Sequence, residues 1–164
     1  MTNEFVLEAI NREFPEAIIS SKDSFGMLTL EIKKDEIKKV IHHMKDSTLQ
    51  IDFLTDICGV HYPEFQEKEL AVVYHLNNMR NGYRIRLKAF SPRKNAEFDS
   101  LTDIYAGANW MERETFDFYG ILFKGHPDLR VILNMEDIGY HPMLKEFPLE
   151  DGTREDKDDK MFGR

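Results

Sequence analysis

Cysteine is nearly absent. Cys58 stands alone in 164 residues, which excludes an internal disulfide and any iron–sulfur cluster held by this chain's own cysteines. Long apolar runs are missing too: none approaches the ~20 residues of a membrane span. The start, Met1-Thr2-Asn3-Glu4, has no basic segment before an apolar stretch and does not read as a signal peptide. These absences lead to the expectation of a soluble, intracellular chain. Glycine is sparse, and nowhere do two glycines stand one residue apart, so no dinucleotide fingerprint exists. Gly120 and Gly125 have phosphate-loop spacing, but His126-Pro127 occupies the place of the phosphate-binding Lys-Ser/Thr. There is no surplus of cations either. A net charge of −8 argues against non-specific nucleic-acid binding, which rests on neutralising phosphates.

What is present is enough for a core: 41% hydrophobic residues and twelve Phe exclude a disordered chain. Phe5, Val6, Ala9, Ile10 and Phe14 recur at helical spacing, and Pro15 stops that helix. Residues 17–20 read as a short strand, and over 27–32 apolar Leu28, Leu30 and Ile32 alternate with their neighbours as in a half-buried strand. Asp35 opens a second helix with the stripe Ile37, Val40, Ile41 and Met44; His42 and His43 lie beside it as exposed residues. The run 51–60 reads as a central strand. Strands over 70–77 and 83–90 flank Asn81-Gly82, the strongest hairpin signal in the chain. On the second of these, Arg84, Arg86 and Lys88 point one way and Ile85, Leu87 and Ala89 the other. That basic stripe is either a docking face for an acidic partner or a solvated sheet face.

The expected fold is therefore α+β: a two-layer domain with a mixed sheet and helices on one face, in α-β-β-α-β-β-β order. A short helix and an extended C-terminal segment follow it. The division is a sheet domain over 1–95, a second region over 96–149, and a charged tail over 150–164 too poor in apolar groups to order by itself. A helical turn over 101–105, capped by Ser100 and Asp103, precedes a short helix over 110–119. Asn109 and Glu112 form its capping box, and Gly120 supplies the left-handed exit. Trp110, Met111, Phe116, Phe118 and Tyr119 spread around that helix among Glu112, Arg113, Glu114 and Asp117, with Arg113 and Asp117 one turn apart and able to pair.

Candidate chemistry is thin. His126, Asp128 and His141 match no ligand spacing that zinc requires, and each His precedes a Pro, so a hydrogen-bonded turn residue is the plainer account. Glu112, Glu114 and Asp117 beside Arg113 read as a structural ion-pair network rather than an acid–base pair. Cys58 reads as a small core residue.

The run Glu112-Arg113-Glu114-x-x-Asp117-Phe118-Tyr119-Gly120-Ile121-x-Phe123-x-Gly125-His126-Pro127-Asp128-Leu129-Arg130 closely resembles the signature of the C subunit, or 30 kDa subunit, of NADH:quinone oxidoreductase, respiratory complex I. Thr102-Asp103-Ile104-Tyr105, Ala108-Asn109-Trp110 and Gly139-x-His141-Pro142-x-x-Lys145-x-Phe147-Pro148-Leu149 are similar to that family as well; Val131 stands where the family often has a second Arg. The chain's end soon after the motif looks like the free-standing form. The resemblance implies a subunit of the peripheral arm that binds no flavin, cluster or nucleotide and has no catalytic residue, and the ligand spacing adds the expectation of no metal site. It implies bracing of the neighbouring D subunit, which helps form the quinone pocket, beside other peripheral-arm subunits and with no nucleic-acid partner. FMN, iron–sulfur clusters, NADH and quinone belong to the assembled complex, and membrane contact on the cytoplasmic face comes only through it. The signature and expected contact residues are Glu112, Arg113, Glu114, Asp117 and Gly120 of the helix and its exit, with the principal contact in the turn 125–130 and the segment 141–149, through Gly125, His126, Pro127, Asp128, Leu129, Arg130, His141, Pro142, Lys145 and Phe147. Two other readings are a homologous subunit of a related membrane-bound hydrogenase or other donor:quinone complex, and a stand-alone metal-dependent hydrolase using His126, Asp128 and His141.

Overall fold

In the computed structural model, which describes residues 1–147, the Phe5 N–H donates to Thr2 Oγ1 at 3.3 Å and begins α1 (Asn3–Glu13). The order continues as β1 (Ile18–Ser24), β2 (Met27–Ile32), α2 (Ile37–Asp46), β3 (Phe53–His61), β4 (Leu70–Asn78), β5 (Tyr83–Ser91), β6 (Glu97–Asp99), α3 (Ala108–Tyr119) and β7 (Leu122–Lys124). The expected α+β order holds through β5. Five strands form one sheet in the order β1-β2-β5-β4-β3, with β2 and β5 parallel and every other pair antiparallel. The expectations for the tail 150–164, and for Pro148 and Leu149, fall outside the described residues.

Register explains the core. Leu30, Leu87, Tyr74 and Ile57 stand side by side across four strands, as do Leu28, Ile85, Leu76 and Leu54, and all eight are buried. Against these rows pack Val6 and Ile10 of α1 and the whole expected stripe of α2, Ile37, Val40, Ile41 and Met44. Leu54 and Ile57 are three apart and should face opposite sides of a regular strand. A bulge between Leu54 and Asp56 inserts one residue and turns both inward.

Several sequence expectations are corrected. The run 51–60 is not a central strand: β3 is an edge, and its mostly apolar character, interrupted by Asp52 and Asp56, reflects the packing of α3 against it. β1 is longer than expected, because the chain reverses at Phe25 and Gly26, both with positive φ, and pairs as a hairpin down to Ser24. Asp35 does not cap α2, which starts from Glu36 without a side-chain cap. His42 is exposed, but His43 is half-buried edge-on to Phe14. β6 and β7, too short to show periodicity, form a two-stranded parallel sheet on either side of α3. The helical turn over 101–105 forms as expected, with the Ile104 and Tyr105 N–H groups both donating to the Leu101 carbonyl at 2.9 and 2.8 Å. Ser100 Oγ accepts the Thr102 N–H there, while Asp103 pairs with Lys38 at 2.9 Å. The core continues from the sheet into this region through Phe98, Leu101, Ile104, Ile121, Phe123 and Leu144.

The close approach of α3 to β3 depends on Gly59. A Cβ there would lie 2.8 and 2.9 Å from Cγ and Cε2 of the Tyr119 ring. Gly59→Ala is therefore expected to push Tyr119 and the end of α3 outward, at a cost of about 1–3 kcal/mol. A denaturant titration checks it, and an unchanged midpoint counts against the close approach.

Candidate functional site

α3 is buried on its charged side. Glu112, Arg113, Thr115 and Asp117 are almost inaccessible, whereas Trp110 is 61% exposed and Phe116, Phe118 and Tyr119 are only half-buried. The helix begins at Ala108 after Gly107 with no side-chain cap, so the expected Asn109–Glu112 capping box does not form. Glu112 instead accepts the Leu101 N–H through Oε1 at 2.7 Å and ties the preceding turn to the helix. Gly120 does provide the left-handed exit, at φ 73°, and the His141 ring lies against its bare Cα.

Arg113 and Asp117 do not pair with each other; the expected ion-pair network is replaced by bonds from charge to backbone. Arg113 donates from Nε to the Arg130 carbonyl at 3.1 Å and from Nη2 to the Val131 carbonyl at 3.0 Å, with its guanidinium 5.1 Å from the Trp110 ring centre. Asp117 Oδ2 accepts the N–H groups of Ile132, Leu133 and Asn134 at 3.0, 2.8 and 3.0 Å, and Oδ1 accepts from Asn134 Nδ2 at 2.9 Å. The helix thus holds consecutive carbonyls with a cation and consecutive amides with an anion. An irregular loop has no ladder of its own to satisfy these groups, and one turn of helix supplies it. Burial alone would raise the Asp117 carboxyl, but those amides stabilise the anion and hold it down at about 2. Glu112 goes the other way. Burial pushes its carboxyl up to about 7, the Leu101 N–H opposing only part of that rise. Among the described residues, neither its Oε2 nor the Tyr74 hydroxyl, raised by the same burial and by the Glu112 charge, has a hydrogen-bond partner.

The two His-Pro turns hang on the same helix. His126 Nδ1 accepts the Asp128 N–H at 3.0 Å, so its Nε2 carries the proton and donates to the Asn109 carbonyl at 3.0 Å. His141 Nδ1 donates to the Asp117 carbonyl at 2.9 Å. These carbonyls are eight residues apart, about 12 Å along a helix. His126 and His141 are therefore not brought together, and the set His126, Asp128 and His141 cannot share one ion. Among the described residues no group of three or more His, Cys, Asp or Glu is placed to hold a metal.

The segment after Pro142 is fastened to the sheet by a residue that the sequence marks only as part of a turn. Buried His61 accepts the Lys145 N–H through Nδ1 at 2.9 Å and faces Glu69 through Nε2 at 3.1 Å. Arg93 grips Glu146 bidentately at 2.7 and 2.9 Å, Leu144 is buried, and Phe147 packs on Tyr140 with ring centres 4.6 Å apart. The remaining contact candidates face outward. Glu114, Gly125, Pro127, Asp128, Arg130 and Lys145 are exposed, Leu129 and Pro142 half-buried, and Arg130 Nε meets Asp128 at 3.0 Å. Apolar Leu133, Met135, Tyr140 and Met143, which no sequence signal singles out, are exposed in the same region. Isolated residues in an irregular stretch carry no periodicity, so no pattern marks them.

Residues 30–153 match the family model described as the 30 kDa subunit of respiratory-chain NADH dehydrogenase. The chain is 34% identical over 154 residues to the C subunit of NADH-quinone oxidoreductase of Geobacter metallireducens, covering 94% of each chain. It is 40% identical over 150 residues to the same subunit of a Roseiflexus species, covering 91% of this chain and 86% of that one. Among solved structures, a trypsin-resistant fragment of Nqo5 matches with a TM-score of 0.68 and 30% identity, over 79% of this chain and all of that one. A chain of the membrane-bound sulfane sulfur reductase, an archaeal respiratory membrane complex, matches with a TM-score of 0.75 and 26% identity, over 89% and 85%.

Proposed function

The chain belongs to the family of the respiratory-chain NADH dehydrogenase 30 kDa subunit, and from that membership we propose that it is a cofactor-free bracing subunit of the peripheral arm of NADH:quinone oxidoreductase. In this reading residues 1–95 carry the sheet, and the signature region 96–149 docks on the D subunit of that complex with the turn 125–130 and the segment from 141 onward. NADH oxidation, electron transfer through iron–sulfur clusters and quinone reduction take place on neighbouring subunits. The chain lies on the cytoplasmic face and meets the membrane only through the assembly. Among its described residues no helix is long and apolar enough to cross a membrane.

One observation carries the reading: each buried ionisable side chain of α3 is engaged with this chain's own backbone. Glu112 holds Leu101, Arg113 holds residues 130 and 131, and Asp117 holds residues 132–134. Catalytic groups must reach a substrate; these groups fix a loop in place. The loop so fixed presents Leu133, Met135, Tyr140 and Arg130 to the outside, and a pre-ordered surface loses little entropy on binding. A second reading, the equivalent subunit of a related membrane-bound complex, is supported by the similarity to the sulfane sulfur reductase chain.

Arg130→Ala tests the docking face. Its side chain is 66% exposed and bonded only to Asp128 among the described residues, while its carbonyl, not its guanidinium, serves Arg113. The isolated variant is expected to melt with the wild type and to weaken assembly by about 1–3 kcal/mol. The fraction of intact complex in membranes reads this out. An unfolded variant makes Arg130 structural, and normal assembly with abolished turnover makes it catalytic; either result sinks the docking face.

A further inference from the structure

Between β3 and α3 lies a cavity of about 280 Å³, to which the segment from 141 onward contributes one wall residue, Met143. Its walls are Cys58, Phe118, Tyr119 and Met143, and it carries two carboxylates, Asp56 and Glu114. Sites for drug-sized ligands run from roughly 300 to 1,000 Å³. This one falls below that range and suits a single side chain rather than a flavin or a nucleotide.

The charges in it are not balanced from within. Among the described residues no cation pairs with the exposed Glu114. Among the described residues the ion-pair partner of Asp56 is His75, whose Nδ1 lies 3.5 Å from Oδ2, and the Arg86 guanidinium stands one strand further away, behind His75. His75 accepts from Arg86 Nε through Nε2 at 2.8 Å, and a ring accepting there is neutral, so it brings no charge to Asp56. Burial and the Arg86 guanidinium also lower the His75 pKa, in agreement. The Cys58 thiol is pushed up to about 11 by burial and by Asp56, which keeps it protonated and adds no third anion. Apolar and aromatic walls with two unbalanced carboxylates are complementary to one side-chain chemistry, a long aliphatic stem ending in a cation.

Resting on the reading that this chain is one subunit of an assembly, we propose that the cavity between β3 and α3 receives an arginine or lysine side chain from a neighbouring protein of that assembly. The stem lies against Phe118, Tyr119 and Met143, and the cation lies between Asp56 and Glu114. Pockets that take one buried cationic side chain are where interface energy concentrates.

Cys58, the sole cysteine, reports on the cavity from inside. Iodoacetamide labelling of Cys58 is measured in the isolated full chain and in the complex purified from membranes, each normalised to denatured protein. The expected result is labelling at least tenfold slower in the complex. Glu114→Lys should restore the isolated-chain rate or lower the incorporated fraction tenfold, with an unchanged melting curve, and Glu114→Asp should retain protection. Equal labelling in both states means an open cavity and overturns the proposal, while co-purification leaves the bracing role standing. Protection that survives both Glu114→Lys and Asp56→Asn means a neutral occupant and overturns it as well. Absence of the chain from the purified complex overturns the bracing role and this proposal together.

Discussion

Asp117→Ala is expected to lower the melting temperature of the isolated chain by roughly 6–12 °C and to release residues 132–134 from hydrogen-exchange protection. Four hydrogen bonds end on this carboxylate, and bonds to a charged acceptor contribute ~1.5–3 kcal/mol each. Water replaces part of that, because Leu133 is exposed and Ile132 and Asn134 are half-buried; the expected net loss is about 3 kcal/mol. The pH dependence has a definite sign. With a folded pKa near 2 against an ordinary 3.8, the contribution is fully present above pH 3.8 and is lost as the pH falls through 2. The variant should therefore differ most from the wild type at neutral pH and converge with it in acid. Wild-type melting together with protected amides at 132–134 would falsify the role of Asp117 as the anchor of the loop.

Glu112→Gln is expected to give the opposite pH signature. The folded carboxyl, raised from 4.5 to about 7, keeps a proton that the unfolded chain releases. Raising the pH from 4.5 to 7 therefore destabilises the wild type; below the window both states hold the proton, and above it the full cost of the buried anion remains. At ~1.4 kcal/mol per pKa unit the swing is roughly 3 kcal/mol. Glutamine keeps an acceptor for the Leu101 N–H and cannot ionise, so its stability relative to the wild type should rise by that amount between pH 4.5 and 8. Denaturant midpoints of both proteins across that range decide it. Parallel profiles would show that folding leaves the Glu112 carboxyl unshifted.

Most of the sheet and helices were legible in the sequence because their signals are local. Alternation in β2 and β5, the stripe of α2 and the Asn81-Gly82 turn each require only neighbouring residues, and each formed as expected. The bulge that turns Leu54 and Ile57 to one side has no such signature, and neither does the edge position of β3, since both depend on what packs against the strand. The same limit applied to α3. Its length and its Gly120 exit were legible; the partners of its charges were not. Spacing i, i+4 suggested that Arg113 pairs with Asp117, a contact available to an isolated helix. In the folded chain the turn 125–130 and the loop beyond it close over that face, bringing two carbonyls to Arg113 and three amides to Asp117. Loop groups that have left water must be satisfied, and a buried charge is stabilised better by several fixed dipoles than by one flexible partner. Local order follows from residues adjacent in the chain. Which charge holds which loop was decided only by the tertiary structure, because those partners lie 15 to 18 residues away and meet only when the core forms.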